Sequence, residues 1–535
     1  MLLFAILSVI IASETYADSA ASAVPADQGP GQNDPVRFDI LEYQVQNNTV
    51  LDSKNIEKTV YPFLGPGKSI DDVEKARSAL ETLYHDAGYA TALVDIPEQG
   101  VEGGVVVLRV VESKVDRLKV TGSRYFSLGK IKEKVPALAE GQVLNLPKAQ
   151  EQLAKLSDET ADRRVTPVMR AGGTPGTVEV DLQVEDELPL HGSVELNARN
   201  NVNTSRLRLI GQLRYDNLWQ RLHSASLQYQ VSPENPEEVQ VWAGTYVMPV
   251  DLLDARLAFY GIGLDSSSDV ASAGALTVVG SGNIFGARMI KPLPGSEGFL
   301  HSLSVGWDYK DFGESLVVQG SDSQNTPISY SPFSVGYSGT VIYGEGTFTQ
   351  FNAEANFSIR GLGNTQQEFE DKRFDAKANY LYFGGDIKHQ QNLPHDLRLV
   401  ARLAGQVADS PLISNEQFTA GGMQSVRGYH EVEVLGDDGV SGSLELYSPD
   451  IGKLAEWPWV DELRLLAFTD GAKLWVDSAL DGTPSQYHIA SAGLGLRTQI
   501  WKHLQGEFYW AHPFSRTDAV RVGEDRVDFR VAYEF

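Results

Sequence analysis

Two periodicities divide the chain. From Leu188 onward, apolar positions alternate with polar ones. Leu207, Leu209, Gly211, Leu213 and Tyr215 alternate with Arg206, Arg208, Ile210, Gln212 and Arg214. Ala225, Leu227, Tyr229 and Val231 alternate with Ser224, Ser226, Gln228 and Gln230. Val527, Phe529, Val531, Tyr533 and Phe535 alternate with Asp528, Arg530, Ala532 and Glu534. A period of two places successive side chains on opposite faces of a strand. Between Val36 and Glu187, helical spacings occur among the strand-like runs instead.

That earlier stretch reads as a unit used twice. Phe38, Ile40, Tyr43 and Val45 predict a strand, and Ser53 to Tyr61 a short helix with Ser53 as its cap. Leu64-Gly65-Pro66-Gly67 reads as a turn. Ser69 caps a helix to Ala87 whose Ile70, Val73, Ala76, Leu80, Leu83 and Tyr84 share a face, and Gly88 closes it. Tyr89–Ile96 and Val105–Val111 then make a hairpin. The order strand, helix, helix, hairpin returns with Val115–Val120, Ser127–Val135, Pro147–Leu156, Arg164–Ala171 and Thr177–Val184. A repeat of about 75 residues indicates tandem modules, with boundaries at 36–114 and 115–187.

Composition narrows the class. With 535 residues, two or three domains are expected. No cysteine is present, so neither a disulfide framework nor a thiolate metal site is available. A net charge of −26 argues against nucleic acid as a partner. Residues 1–17, an apolar run ending in small residues, read as a secretory signal. Residues 18–35, rich in Ala, Pro, Gly and Gln, read as a flexible linker.

Residues 188–535 are too long for one sandwich and fit a transmembrane barrel of about 16 antiparallel strands, apolar side to lipid and charged side to a wet lumen. Tyr215 with Trp219, Trp457 with Trp459, and Tyr509 with Trp510 are placed to form interfacial girdles. Asp216–Trp219 and Pro233–Pro236 read as tight turns, and Ser315–Tyr343 and Phe418–Gly442 as long loops. The chain ends on a strand carrying Tyr533 and Phe535, which fits a C-terminal signal for the barrel-assembly machinery. The fold class is therefore α+β N-terminal modules followed by an all-β membrane barrel.

The repeated unit resembles a pair of POTRA domains, on the strength of the Leu64–Gly67 turn and Tyr84–Val94, where a helix ends at a glycine and feeds an edge strand. Val426-Arg427-Gly428-Tyr429, preceded by Phe418-Thr419-Ala420-Gly421-Gly422, resembles the VRGY loop (418–442) of two-partner secretion transporters (TpsB; ShlB/FhaC/HecB-like), within the BamA-type superfamily. Tyr215-Asp216-Asn217-Leu218-Trp219 is also similar to the first barrel hairpin of that family. The resemblance implies that this loop folds into the lumen. It implies that Arg427 pairs with an aspartate on the inner wall, here Asp470 within Phe468-Thr469-Asp470-Gly471, although Gly471 follows the aspartate directly. It also implies periplasmic modules, an outer-membrane barrel and a secreted exoprotein as partner. Family members carry an N-terminal plug helix, and residues 18–35 lack the composition for one.

The residues make chemical sense of such a loop. Arginine binds a carboxylate through a planar fork, which sets orientation as well as position. Gly428 permits a sharp bend and Tyr429 packs while its hydroxyl bonds. A wet lumen offers a loop little burial, so the ion pair is expected to do the holding. With no other occupant foreseen, this loop is the expected barrier in the pore.

No Walker A motif, GxSxG or HExxH is present, Gly336-Tyr337-Ser338-Gly339 lacks the required spacing, and the 10 histidines are scattered. An enzyme, a cofactor and a metal are therefore not expected. Asp437-Asp438 reads as an exposed acidic turn in preference to a cation site. Two functions remain open: a secretion pore, or an assembly factor for outer-membrane proteins, which would usually carry more modules than two. A single chain in outer-membrane lipid is expected in either case.

Overall fold

The computed structural model describes residues 36–535 apart from 203, 267–269, 274–275, 280, 314 and 317–323. The signal (1–17), the linker (18–35) and the expected lack of a plug helix lie outside the described residues. The chain divides into two compact units at Leu188/Pro189.

In the first unit, β1 (Phe38–Ile40) pairs with β3 (Gly65–Lys68) as a ribbon. The Leu64–Gly67 segment is thus largely a strand, held by Gly67 N–H on Asp39 (2.9 Å) and Arg37 on the Gly67 carbonyl (3.0 Å). β2 (Glu42–Gln46), β5 (Val105–Val111) and β4 (Leu93–Asp95) form a sheet in the order β2-β5-β4. β4 is only three residues of the expected Tyr89–Ile96, because residues 89–92 turn after the helix. α1 (Ser53–Val60) is capped by Asp52, whose carboxylate accepts from Lys54 N–H, so Ser53 lies inside the helix. α2 (Ile70–Asp86) has the expected Ser69 cap, with Asp72 completing a reciprocal box. Val73, Ala76, Leu80 and Tyr84 point into the core, whereas Ile70 at the first turn is exposed.

The second module repeats the plan. β6 (Lys114–Thr121), β8 (Thr177–Asp186) and β7 (Arg163–Ala171) form a sheet in that order, packed with α3 (Leu128–Glu133) and α4 (Leu146–Asp158). A polar joint couples the modules. Asn145 caps α4 and also donates to the Ala87 carbonyl (3.1 Å), while Leu146 N–H donates to Gly88 (3.0 Å). Gly88, at φ 92°, is needed there, since a Cβ would stand 3.0 Å from Asn145 and Pro147.

The second unit is a closed barrel of sixteen antiparallel strands, from Leu190–Asn197 to Arg526–Glu534. Outward positions carry Leu213, Trp242, Phe259, Phe285, Leu303, Phe383, Leu403, Leu465, Leu494 and Phe508, all exposed, as a lipid-facing band requires. The first and last strands close the wall over Arg530↔Asn197 to Glu534↔Ser193. Phe535 continues the seam, exchanging N–H and C=O bonds with Gly192 at 3.0 Å each. Its ring covers Gly192, leaving no room for a Cβ there, while Tyr533 faces outward.

Several details differ from the pattern-based reading. Pro233–Pro236 lies at the opposite barrel end from the turn after Leu218, so the two tight turns do not share a side. Residues 332–343 of the expected Ser315–Tyr343 loop are wall, because Pro332–Gly344 is a strand. Asp438–Tyr447 is also a strand, so the VRGY loop ends at Asp437. Trp457 and Trp459 stack at 5.7 Å and are half-exposed, but Tyr509 is buried on the inner face while Trp510 points out.

Asp186 shows how a single carboxylate fixes the second module. It accepts from the Ser123 hydroxyl (2.6 Å) and from the amides of Arg124, Tyr125 and Phe126. Burial disfavours its charge, but those donors outweigh it and hold the carboxyl below its ordinary value. A depressed carboxyl adds stability above the unfolded-state pKa of about 3.9 and loses it as pH falls through the folded value. Asp186→Ala is expected to cost roughly 1–3 kcal/mol near neutral pH, through amides left without an acceptor. The gap to wild type should close below about pH 4. Thermal melts of the detergent-solubilised chain across pH check both the size and the sign.

Candidate functional site: the loop inside the barrel

Between the strands Arg398–Ala408 and Asp438–Tyr447 the chain turns into the lumen. The base of this loop is a short ribbon, Phe418–Ala420 against Val434–Gly436. Gly421 and Gly422, at φ 114° and 98°, pass so close to the returning leg that a Cβ on either would meet His430, Glu431 or Glu433. Glu431 then binds Met423 N–H (3.1 Å) and the Arg199 guanidinium (3.0 and 3.3 Å).

At the tip, Arg427 is almost wholly buried, with 2% exposure, beside Asp470 at 3% and Glu445 at 1%. Its Nε and Nη2 donate to the two Asp470 oxygens at 2.7 and 2.8 Å, and its own backbone N–H adds a third bond at 3.1 Å. Nη2 also reaches the Ser443 hydroxyl (3.1 Å), and Nη1 pairs with Glu445 at 2.8 Å. The guanidinium carbon lies 3.7 Å from the centre of the Phe468 ring and 5.0 Å from that of Tyr509. Two carboxylates and two aromatic faces therefore surround one cation, which offsets its desolvation.

Strand register assembles this cage. Phe468 and Asp470 are two apart on Val460–Trp475, and Ser443 and Glu445 are two apart on Asp438–Tyr447, so each pair shares the inner face. Ser443 pairs directly with Asp470 across the two strands. Ser443 and Glu445 escaped the sequence reading, and Tyr509, expected in an interfacial girdle, turns inward to the cage instead. Gly428, at φ 92°, would bring a Cβ to 3.2 Å from Ala511, so the glycine is required. The Tyr429 hydroxyl lies 3.0 Å from the Ala490 and Ser515 carbonyls and accepts from Ser515 N–H at 3.1 Å. Gly471 is different. A Cβ there meets nothing nearer than 3.7 Å, so nothing in the structure explains a glycine at that position.

Burial contributes more than a wet lumen suggests. Val426, Tyr429, Val434 and Ala420 pack on Ala472, Leu474, Ile489 and Val520, all of them buried. Each fully buried large side chain contributes roughly 1.5–3 kcal/mol. Under the loop the inner wall is apolar apart from the carboxylates that hold Arg427. A chamber of about 630 Å³ beside the loop is lined by Glu195, Arg402, Gln424, Glu445, Arg497 and Arg530, among others.

Removing Arg427 strands two buried carboxylates. Arg427→Ala is expected to destabilise the docked loop by roughly 3–5 kcal/mol. Arg427→Lys should recover only part of this, because an ammonium cannot span both oxygens of Asp470. Gly471→Ala should leave the loop unchanged, whereas Gly428→Ala should loosen it. Hydrogen exchange of the 418–437 amides in the four variants reads all of these outcomes.

The chain matches known proteins over nearly its whole length. The profile of the POTRA domain, ShlB-type, covers residues 38–113, and that of the haemolysin secretion/activation protein ShlB/FhaC/HecB covers residues 176–498. The outer membrane transporter CdiB of Dickeya dadantii (strain 3937) is 22% identical over 519 residues, spanning 93% of this chain and 87% of that protein. The heme/hemopexin transporter protein HuxB of Haemophilus influenzae (strain ATCC 51907 / DSM 11121 / KW20 / Rd) is 19% identical over 412 residues, spanning 76% of this chain and 71% of HuxB. Among solved structures, CdiB from Escherichia coli shares the fold with a TM-score of 0.60 at 20% identity, covering 95% of this chain and 93% of that one. With its ShlB-type module, its sixteen-stranded barrel and a match over residues 176–498, the chain belongs to the ShlB/FhaC/HecB haemolysin secretion/activation family of outer-membrane transporters.

Proposed function

We propose that this protein recognises an extended exoprotein through its N-terminal modules and secretes it through the barrel once the VRGY loop leaves the wall. One observation carries the recognition step: β7, the outer strand of the second-module sheet, presents a nine-residue edge to solvent. In the first module, Val94 is the outward residue of β4, and its N–H and C=O are taken by Glu81 (3.0 Å) and Arg77 (3.2 Å). The Tyr84–Val94 edge singled out from sequence is therefore closed by the side chains of α2. In the second module, β6 is covered where Val115 bonds Gln142 and Gly141 at 2.8 and 2.7 Å.

β7 is left open. Gly172 N–H donates to the Thr177 carbonyl and Glu187 N–H to that of Asp162, so even-numbered residues of β7 face β8. The odd-numbered ones, Val165, Pro167, Met169 and Ala171, turn their backbone groups outward. Among the described residues, no partner meets the backbone groups of Val165, Met169 or Ala171. An exposed edge of this kind takes an added strand from an extended chain, with affinity from main-chain bonds and little demand on sequence.

The Arg427 cage supports a gating role for the loop. A barrier that must open repeatedly benefits from one strong, localised contact, since losing that pair removes the largest single polar restraint on the hairpin. No nucleotide site is foreseen, so folding of the client outside supplies the direction of movement. In this reading, Tyr533 and Phe535 serve assembly of the barrel into outer-membrane lipid, and one chain makes one pore.

Met169→Pro removes one outward N–H without touching the ladder to β8. Secretion of the partner exoprotein into the medium is expected to fall several-fold, and deletion of residues 36–187 should abolish it, with barrel levels in the outer membrane unchanged. Normal export from both strains would rule out recognition by these modules.

A further inference from the structure

The lumen holds a second body besides the VRGY loop. Between the strands Thr347–Ser358 and Leu381–Asn392 lies α5 (Gln366–Lys372), capped by a reciprocal Thr365–Glu368 box. Phe369 of this helix, with Ala376, Ala378 and Tyr380 after it, is fully buried. They pack on Val241, Ile262, Ile284, Phe312 and Tyr330, inner-face residues near the barrel end opposite the one at which the chain enters, together with Leu412 and Ile413. The Phe369 ring lies 5.6 Å from Tyr330 and 6.1 Å from Tyr380. This cap covers one arc of the wall, and the VRGY loop covers another, formed by Val460–Trp475 and Gln486–Ile500.

Asp437 stands where the two bodies meet. From sequence it reads as half of an exposed acidic turn; in the fold it has no exposed surface. Arg373, the residue after α5, grips both of its oxygens at 2.5 and 2.6 Å. Asp437 also accepts from Leu412 N–H (2.7 Å), Asp477 N–H (2.8 Å) and the Gln417 amide (3.2 Å). Arg373 in turn donates to the carbonyls of Leu412 and Asp477. One ion pair thus joins the cap, the chain leading into the VRGY loop, the chain leaving it, and the outer loop at Asp477. Glu416 secures the leading segment separately, accepting from Lys310 (2.6 Å), Tyr330 (2.5 Å) and Tyr382 (3.0 Å).

We propose that Arg373 and Asp437 form a second gating pair that couples the α5 cap to the root of the VRGY loop, so that the outer half of the lumen opens as one unit. The physical reason is that Asp437 cannot be left buried without Arg373. If the cap lifts, taking Arg373 with it, the carboxylate loses its counter-charge and must move toward water. That movement pulls on Gly436 and Val434, the strand that holds Ala420 in the loop base. Conversely, if the loop root shifts, Arg373 loses its partner and the cap loses its tether. The pair is a positioning device. It stands independently of how the exoprotein is recognised.

The absence of native cysteine makes the test direct. Ala378→Cys reports under the cap and Ala420→Cys reports at the loop base, both buried positions. The full-length protein in intact cells is treated with a membrane-impermeant maleimide, and folding is verified by the heat-modifiable mobility of the barrel. Arg373→Ala is expected to raise labelling at both positions by roughly ten-fold, the scale of losing a partly shielded ion pair. Arg373→Lys, which folds with the charge retained, should give an intermediate rise at both. Arg360→Ala, which removes contacts to Gln366 and Asn379 on an exposed side of the cap, should raise labelling at Ala378→Cys alone. If Arg373→Ala or Arg373→Lys exposes the cap reporter and leaves Ala420→Cys protected, the coupling is wrong. If neither reporter responds, the pair is no latch at all. Because no client enters the assay, a failure of exoprotein recognition leaves this result unaffected.

Discussion

A guanidinium held away from water has to be met by charge and hydrogen bonds on several sides, and Arg427 is met on all of them. Asp470 takes two of its donors, Glu445 a third, and the Phe468 and Tyr509 rings lie 3.7 and 5.0 Å from its guanidinium carbon. Such a cluster is weak evidence for overall stability, because desolvation consumes much of its attraction. It is strong evidence for a defined position. The contacts exist in one register of the wall and one loop conformation only, and Gly428 and Tyr429 are shaped to that same conformation. The hairpin from Phe418 to Gly436 takes its place from this point.

The wall is adapted to what it carries. Along Val460–Trp475 the inner face reads Arg464, Leu466, Phe468, Asp470, Ala472 and Leu474, all but the first and fourth uncharged. A water-filled pore would favour polar residues there. The apolar face is explained by the loop lying on it, and the charged remainder of the lumen by the chamber beside the loop. On another arc, Val241, Ile262 and Phe312 are apolar for the same reason beneath the α5 cap. Among the described residues, two packed bodies lie in the lumen, each with a small core of its own, where a single loop was expected. Displacing either one exposes apolar wall, so the closed state is stabilised by burial as well as by ion pairs.

Alternation along the strands made the barrel legible, because a strict period of two has few other readings over so long a stretch. The Arg427–Asp470 contact was legible through the resemblance of VRGY and Phe468–Gly471 to a known motif. What was not legible depended on contacts distant in sequence. Glu445 and Tyr509 have no local signature; only closure of the barrel brings them to Arg427. Asp437 looked like a solvated acidic turn because its counter-charge, Arg373, lies 64 residues away. The α5 helix did leave a trace, the Thr365–Glu368 capping pair, but a helix of seven residues within a strand-rich region carries little periodic signal. In the N-terminal unit, Asp52 displaced Ser53 as cap because its side chain reaches Lys54 N–H. Gly65–Lys68 became a strand because β1 offered it a partner.

If the loop must leave the wall before the lumen conducts, the current through the barrel follows the Arg427–Asp470 contact. Single-channel current across a planar bilayer is measured for the wild-type protein and for Arg427→Ala and Gly471→Ala. Little current is expected from the wild type and from Gly471→Ala, and a clear rise from Arg427→Ala. Equal current in all three proteins would contradict a gating role for the loop.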